Sequence, residues 1–190
     1  MSENNIVKTL LLHTCCAPCL IGSLPVINEQ SSLQAQNQNL DITCFWHNPN
    51  IHPYTEYKSR LDALADYTAK NNIKLIVQDY YGLVEFTKNV IDRLDSRCEY
   101  CYDIRLGETA KYASEHGFDM FSSTLLVSPY QNHDKLKETG EKYADKYNAG
   151  FFYADYRVNF RAGQAAARQN NVYMQKYCRC VFSEQERYIK

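Results

Sequence analysis

The largely apolar run from Val7 to Leu12 leads, two residues later, into Cys15-Cys16-Ala17-Pro18-Cys19. Its length and its three leucines suit a strand buried on both faces of a parallel sheet. Such a strand delivers the residues after it to the carboxyl edge of the sheet, where open α/β folds place their ligands. Pro18 is expected to keep a helix from starting at once. Whatever chemistry the chain carries is therefore expected at that edge, with thiols as its instruments.

The rest of the chain alternates strand and helix. A helix is expected from Leu20 to about Asn37, with Pro25 moving its true start to near Leu24. Strands are expected at Asp41 to Trp46, Ile73 to Gln78, Phe118 to Leu126 and Phe151 to Tyr156. Helical spacing covers Thr55 to Asn71, Phe86 to Leu94, Tyr102 to His116 (closed by Gly117), His133 to Asn148 (closed by Gly150) and Gln164 to Asn170. Alternation of this kind predicts one α/β domain over residues 1–190, a parallel sheet with helices on both faces and a C-terminal extension of helix and loop. No repeat or linker divides it.

The 190 residues hold eight cysteines, at 15, 16, 19, 44, 98, 101, 178 and 180. Met1 to Asn5 has no basic leader, and no apolar run approaches the roughly 20 residues a membrane span needs, so a cytoplasmic setting is expected. Thiols clustered in a reducing compartment are metal ligands or redox groups more often than disulfides. Cys44 lies inside a strand and reads as a packed small hydrophobe. The other seven fall in three groups at loops or a helix start, and Cys98-x-x-Cys101 opens a helix whose dipole favours thiolate.

Seven is awkward for one site. Adjacent cysteines such as Cys15 and Cys16 serve two neighbouring centres more easily than one, and Cys178 and Cys180 could bridge likewise. Four plus three is a natural division: a closed four-thiolate cluster, and a three-ligand metal with an open position. One structural zinc with spare buried cysteines, or a thiol–disulfide protein built on Cys98 and Cys101, remain alternatives. Gly22 breaks the spacing of a radical-SAM triad, and neither a Walker loop nor a dinucleotide fingerprint is present, so no nucleotide cofactor is expected.

Charge is uneven. The whole chain is −1, yet residues 157–190 carry seven Lys/Arg against two Glu. A basic end beside clustered thiols points to an anionic partner such as nucleic acid, although a solvated basic face would look the same.

In His13-Thr14-Cys15-Cys16-Ala17-Pro18-Cys19, Asn48-Pro49-Asn50-Ile51-His52-Pro53 with Glu56, Tyr57 and Arg60, Arg97-Cys98-Glu99-Tyr100-Cys101 through Leu106, Ser123 through Tyr130, Asp155-Tyr156-Arg157 and Gln175-Lys176-Tyr177-Cys178-Arg179-Cys180, the chain resembles the cobalamin-independent epoxyqueuosine reductases, the QueH family. Two positions depart from it: Cys19 stands where some relatives carry aspartate, and Arg179 where glycine is common.

The resemblance implies a Rossmann-like sheet of the HUP type, a 4Fe–4S cluster beside a second metal ion (iron, with zinc the alternative), and reduction of epoxyqueuosine in tRNA to queuosine with an external electron donor. On that basis Cys98 and Cys101 would hold the cluster with one of Cys15/Cys16 and one of Cys178/Cys180. The remaining member of each pair would join Cys19 at the open metal. Tyr130, His133, Asp134 and Asp155 are candidate proton donors, in loops after strands. Arg157, Arg161, Arg168, Lys176 and Arg179 are candidates for tRNA phosphates, with Tyr156, Phe160, Tyr173 or Tyr177 as a stacking face. A zinc-stabilised RNA-binding protein without catalysis and a thiol redox switch are the competing readings.

Overall fold

The computed structural model describes residues 7–34 and 40–189; Met1 to Asn5, the end of the expected first helix near Asn37, and Lys190 lie outside the described residues. Five parallel strands form one sheet in the order β3-β2-β1-β4-β5: β1 Lys8–His13, β2 Leu40–Trp46, β3 Lys74–Val77, β4 Met120–Ser123 and β5 Gly150–Phe151. β1 is central, and Leu10, Leu11 and Leu12 are fully buried, as a strand covered on both faces requires.

The chain runs outward from β1 to β3, then jumps back to lay β4 on the other side of β1. Right-handed crossovers in opposite directions put helices on opposite faces. Helices α1 (Ala17–Gln34), α2 (Tyr54–Lys70) and α6 (Phe160–Gln169) pack together on one side, and α4 (Arg97–Glu115) with α5 (His133–Tyr147) on the other. Short helices α3 (Leu83–Val90) and α7 (Val181–Tyr188) complete the order. The order reverses between β1 and β4, so their carboxyl ends form the crevice in which this kind of sheet binds ligands.

Several expectations need correction. Helix α1 starts at Ala17, directly after the cysteine pair, and runs through Pro25. Pro18 falls in the first turn, where a missing N–H costs nothing. Around Pro25, α1 is held by α6: the Asn159 amide donates to the Gly22 carbonyl at 2.9 Å, and a Cβ on Gly163 would lie 2.5 Å from Gly22 Cα. Neither glycine can be larger. Strand β4 stops at Ser123 and a 3-10 turn takes Thr124–Val127, while Asn148, left-handed at φ 52°, ends α5 and frees Gly150 to begin β5. β5 is only Gly150–Phe151, shorter than the strand expected to run from Phe151 to Tyr156, a 3-10 turn spans Tyr156–Asn159, and the C-terminal region adds α7.

Candidate metal centre

Beyond β1 the chain enters α1 within four residues, which throws Cys15, Cys16 and Cys19 onto one buried spot. Their sulfurs all lie within 4.8 Å of one another, with Cys15 and Cys16 at 3.8 Å. Thr124, following β4, ties the two strand ends together: its Oγ1 accepts from the Cys15 amide at 3.3 Å and donates to Cys15 Sγ at 3.5 Å. Hydrogen bonds from Cys16 and Cys19 hold the Cys15 thiol well below its ordinary pKa; Arg179 and Arg105 act in the same direction, against the effect of burial. Burial pushes Cys16 up to about 12, and Cys19 is raised well above the usual thiol range by its bonds to the other two. Of the three sulfurs, Cys15 is the one on which its neighbours favour negative charge.

The other four thiols gather separately. Cys98 and Cys101 in the first turn of α4, with Cys178 and Cys180 just before α7, line a cavity of about 190 Å³ shared with Asn50 and Tyr130. Asn50 Nδ2 donates to Cys101 Sγ at 3.5 Å, and Gln131 Nε2 to Cys178 Sγ at 3.6 Å. The helix start does not make thiolates of this pair. Burial dominates, and the thiols of Cys98 and Cys101 are both pushed up. Burial that penalises a bare thiolate is relieved by a bound cation, and soft sulfur donors suit iron–sulfur or zinc. The donor set therefore fits a metal centre.

A neighbouring cavity of about 340 Å³ is lined by Cys19, Tyr130, Phe160, Gln164, Lys176 and Cys178, among others. Cys178 and Tyr130 border both hollows. Cys15 and Cys16 stand together with Cys19, and the Arg179 guanidinium, 3.5 Å from both Cys15 Sγ and Cys178 Sγ, links this group to the other four thiols. Cys44 stays out, buried in β2 with its thiol pushed up to about 11 by burial.

The C-terminal segment reaches the site because α2 and the loop before it grip its backbone. Arg60, paired to Glu56 at 2.6 Å, donates to the carbonyls of Cys178 at 2.9 Å and Tyr177 at 3.2 Å. The His52 amide donates to the Arg179 carbonyl at 2.9 Å, and Tyr177 Oη to the His52 carbonyl at 2.8 Å. Behind the thiols lies a buried polar set. Arg105 Nε donates to His13 Nε2 at 3.2 Å, so that nitrogen is unprotonated and Nδ1–H donates to Ser123 Oγ at 2.8 Å. Burial, then the Arg105 charge, keeps His13 neutral. Arg105 Nη2 also donates to Asn48 Oδ1.

The remaining candidates separate by place. Tyr130 is 83% exposed at the rim of both cavities, edge-on to Phe160 with ring centres 6.0 Å apart. Asp134 is exposed on the first turn of α5, and Asp155 caps the turn after β5 and pairs with Arg157 at 2.5 Å; neither lines either cavity. Arg157, Arg161, Arg168 and Lys176 are exposed, but Arg179 is buried among the thiols and is not placed to meet phosphate. Tyr156 is a core residue, fully buried with its hydroxyl on Ser122 at 2.8 Å, and offers no stacking face. Sequence reasoning gave no site role to His13, Asn48, Asn50, Arg105 or Gln131. The first four sit in the motif segments, and that is the only signal they carried.

A family model described as epoxyqueuosine reductase QueH matches residues 10–186. The epoxyqueuosine reductase QueH of Dehalococcoides mccartyi is 39% identical over 181 residues, 95% of each chain, and that of Thermotoga maritima 31% identical over 196 residues, covering 94% of this chain and 92% of its own. Among solved structures, the U34-tRNA thiolase NcsA from Methanococcus maripaludis with its 4Fe–4S cluster is similar in fold. Its TM-score is 0.55 at 15% identity, and the match covers 97% of this chain and 64% of the thiolase. The chain belongs to the epoxyqueuosine reductase QueH family.

Proposed function

We propose that the protein removes the epoxide oxygen of epoxyqueuosine in the tRNA anticodon loop, a reaction that leaves an alkene and water after two electrons and two protons are taken up. The observation that carries this is the convergence of seven thiols from three distant segments on one sheet edge, beside an open cavity.

Cys98, Cys101, Cys178 and Cys180 would hold a 4Fe–4S cluster, and Cys15, Cys16 and Cys19 a second metal with a free position. When bound, such a cluster supplies electrons singly and an open metal polarises a carbon–oxygen bond as a Lewis acid. The chain's own residues do the rest. The cavity beside Cys19 receives a base splayed from a single-stranded loop, with Phe160 and Tyr130 as its aromatic walls. Of the four candidate proton donors, Tyr130 lines that cavity, which supports its hydroxyl as the group that protonates the departing oxygen. The exposed Arg161, Arg168 and Lys176 meet phosphates, and Arg157 joins them if it leaves Asp155. A tRNA substrate puts the reaction in the cytoplasm, and no helix among the described residues is long and apolar enough to cross a membrane.

Iron, zinc and acid-labile sulfide are to be measured on anaerobically purified protein. Brown protein containing iron and sulfide is expected; colourless protein containing zinc alone defeats the proposal in favour of a zinc-stabilised RNA-binding protein.

A further inference from the structure

Two arginines are buried against the thiols with no carboxylate to balance them. Arg105 is fully buried and Arg179 is 7% exposed. Among the described residues neither pairs with Asp or Glu, unlike Arg60, which Glu56 neutralises. Arg105 spends its hydrogen bonds on the neutral groups of His13 and Asn48, and its Nη1 has no partner. Arg179 places Nη2 3.5 Å from Cys15 Sγ and Nη1 3.5 Å from Cys178 Sγ, while its Nε is unpartnered. A guanidinium does not give up its proton in a protein, so each site buries a full positive charge. A buried charge without a counter-charge is strongly destabilising. The compensating negative charge must come from sulfur.

Resting on the function proposed above, we propose that Arg105 and Arg179 are the resident counter-charges of the metal–thiolate centres, and that Arg179, touching one sulfur of each thiol group, raises the cluster's reduction potential. One-electron reduction makes a thiolate-ligated cluster more negative. A fixed cation and N–H donors on its sulfurs therefore favour the reduced form. Arg179 is a positioning and tuning residue that acts through the sulfurs it contacts. Its backbone is held separately, the amide donating to Ser183 Oγ at 2.9 Å and the carbonyl accepting from His52 at 2.9 Å, so the side chain can be changed while the turn stays fixed. Filling space does not explain it, since an apolar side chain of equal length would do that without burying a charge.

The test is an EPR-monitored redox titration of the anaerobically purified holoprotein, comparing wild type with R179M, R179K and R105M. R179M is expected to shift the oxidised-to-reduced ratio about tenfold toward oxidised at fixed potential, which is about 59 mV for a one-electron couple. R179K should recover most of that shift, and R105M should move the same way by less. Equal potentials in wild type and R179M, or equal shifts in R179M and R179K, overturn the proposal. If R179M retains no iron, retention by R179K upholds the requirement for charge, and loss in both overturns it. Wild-type protein lacking iron and sulfide defeats the function proposed above, whereas loaded wild type with an unmoved R179M defeats this inference alone.

Discussion

At the scale of single residues, what matters is the company each thiol keeps. Cys19 belongs to the triad and borders the larger cavity, while the four thiols around the smaller cavity do not include it. C19A should therefore keep most of the visible iron–sulfur absorbance yet lose turnover of epoxyqueuosine tRNA; bleaching of that band in C19A would contradict the four-plus-three division. His52 gives a pH dependence. Its side chain is buried and its pKa is lowered to about 4, chiefly by burial. A depressed histidine means the unfolded chain protonates first, so stability is complete above pH ~6.5 and falls as pH drops toward 4. Metal-free, reduced protein should lose about 2 kcal/mol from His52 between pH 7 and pH 5, and urea titrations of wild type and H52N should differ in that slope. Cys19 advertises its role through residue type and clustering, whereas that of His52 comes from burial and neighbours.

At the scale of elements, the contact of α1 with α6 decides where the cysteines point. Helix α1 carries Pro25 in its interior and should break there on local grounds. It continues because its Gly22 meets Gly163 of α6 at backbone distance and Asn159 donates to the Gly22 carbonyl. G163A forces the helices apart and should cost about 1–3 kcal/mol, read as a lower urea midpoint with the slope unchanged. Because the cysteine triad straddles the start of α1, the same variant should weaken metal retention. The short strands were equally hard to foresee. Phe118 to Leu126 is apolar enough for one long strand, but Ser123 turns its hydroxyl to the Leu125 amide at 3.1 Å and ends the strand. Helix α7 was missed for a related reason, since its eight residues carry no buried stripe to set a period.

At the scale of the whole molecule, charge and topology act together. The sheet order brings the ends of β1 and β4 side by side, and the basic C-terminal segment returns across that edge, pinned by Arg60 and His52. Three or four exposed cations at phosphates predict that log Kd for tRNA rises with log salt at a slope of about 2–3. Filter binding of the tRNA across a range of KCl checks this, and a flat response would remove the basic segment from recognition.

The sequence by itself determined the alternation that makes a parallel α/β sheet, the buried central strand, the separation of Cys44 from the other seven thiols, and the family. These are local or compositional properties, readable because periodicity and residue type act over a few neighbours. Only the tertiary structure decided which sulfurs stand together, that Arg179 faces inward rather than toward RNA, that Tyr156 is core, and that Tyr130 rather than Asp134 or Asp155 borders the cavities. Those outcomes depend on contacts between residues more than a hundred positions apart, such as Arg60 with Cys178 and Cys15 with Thr124, and no local pattern encodes a distance of that kind.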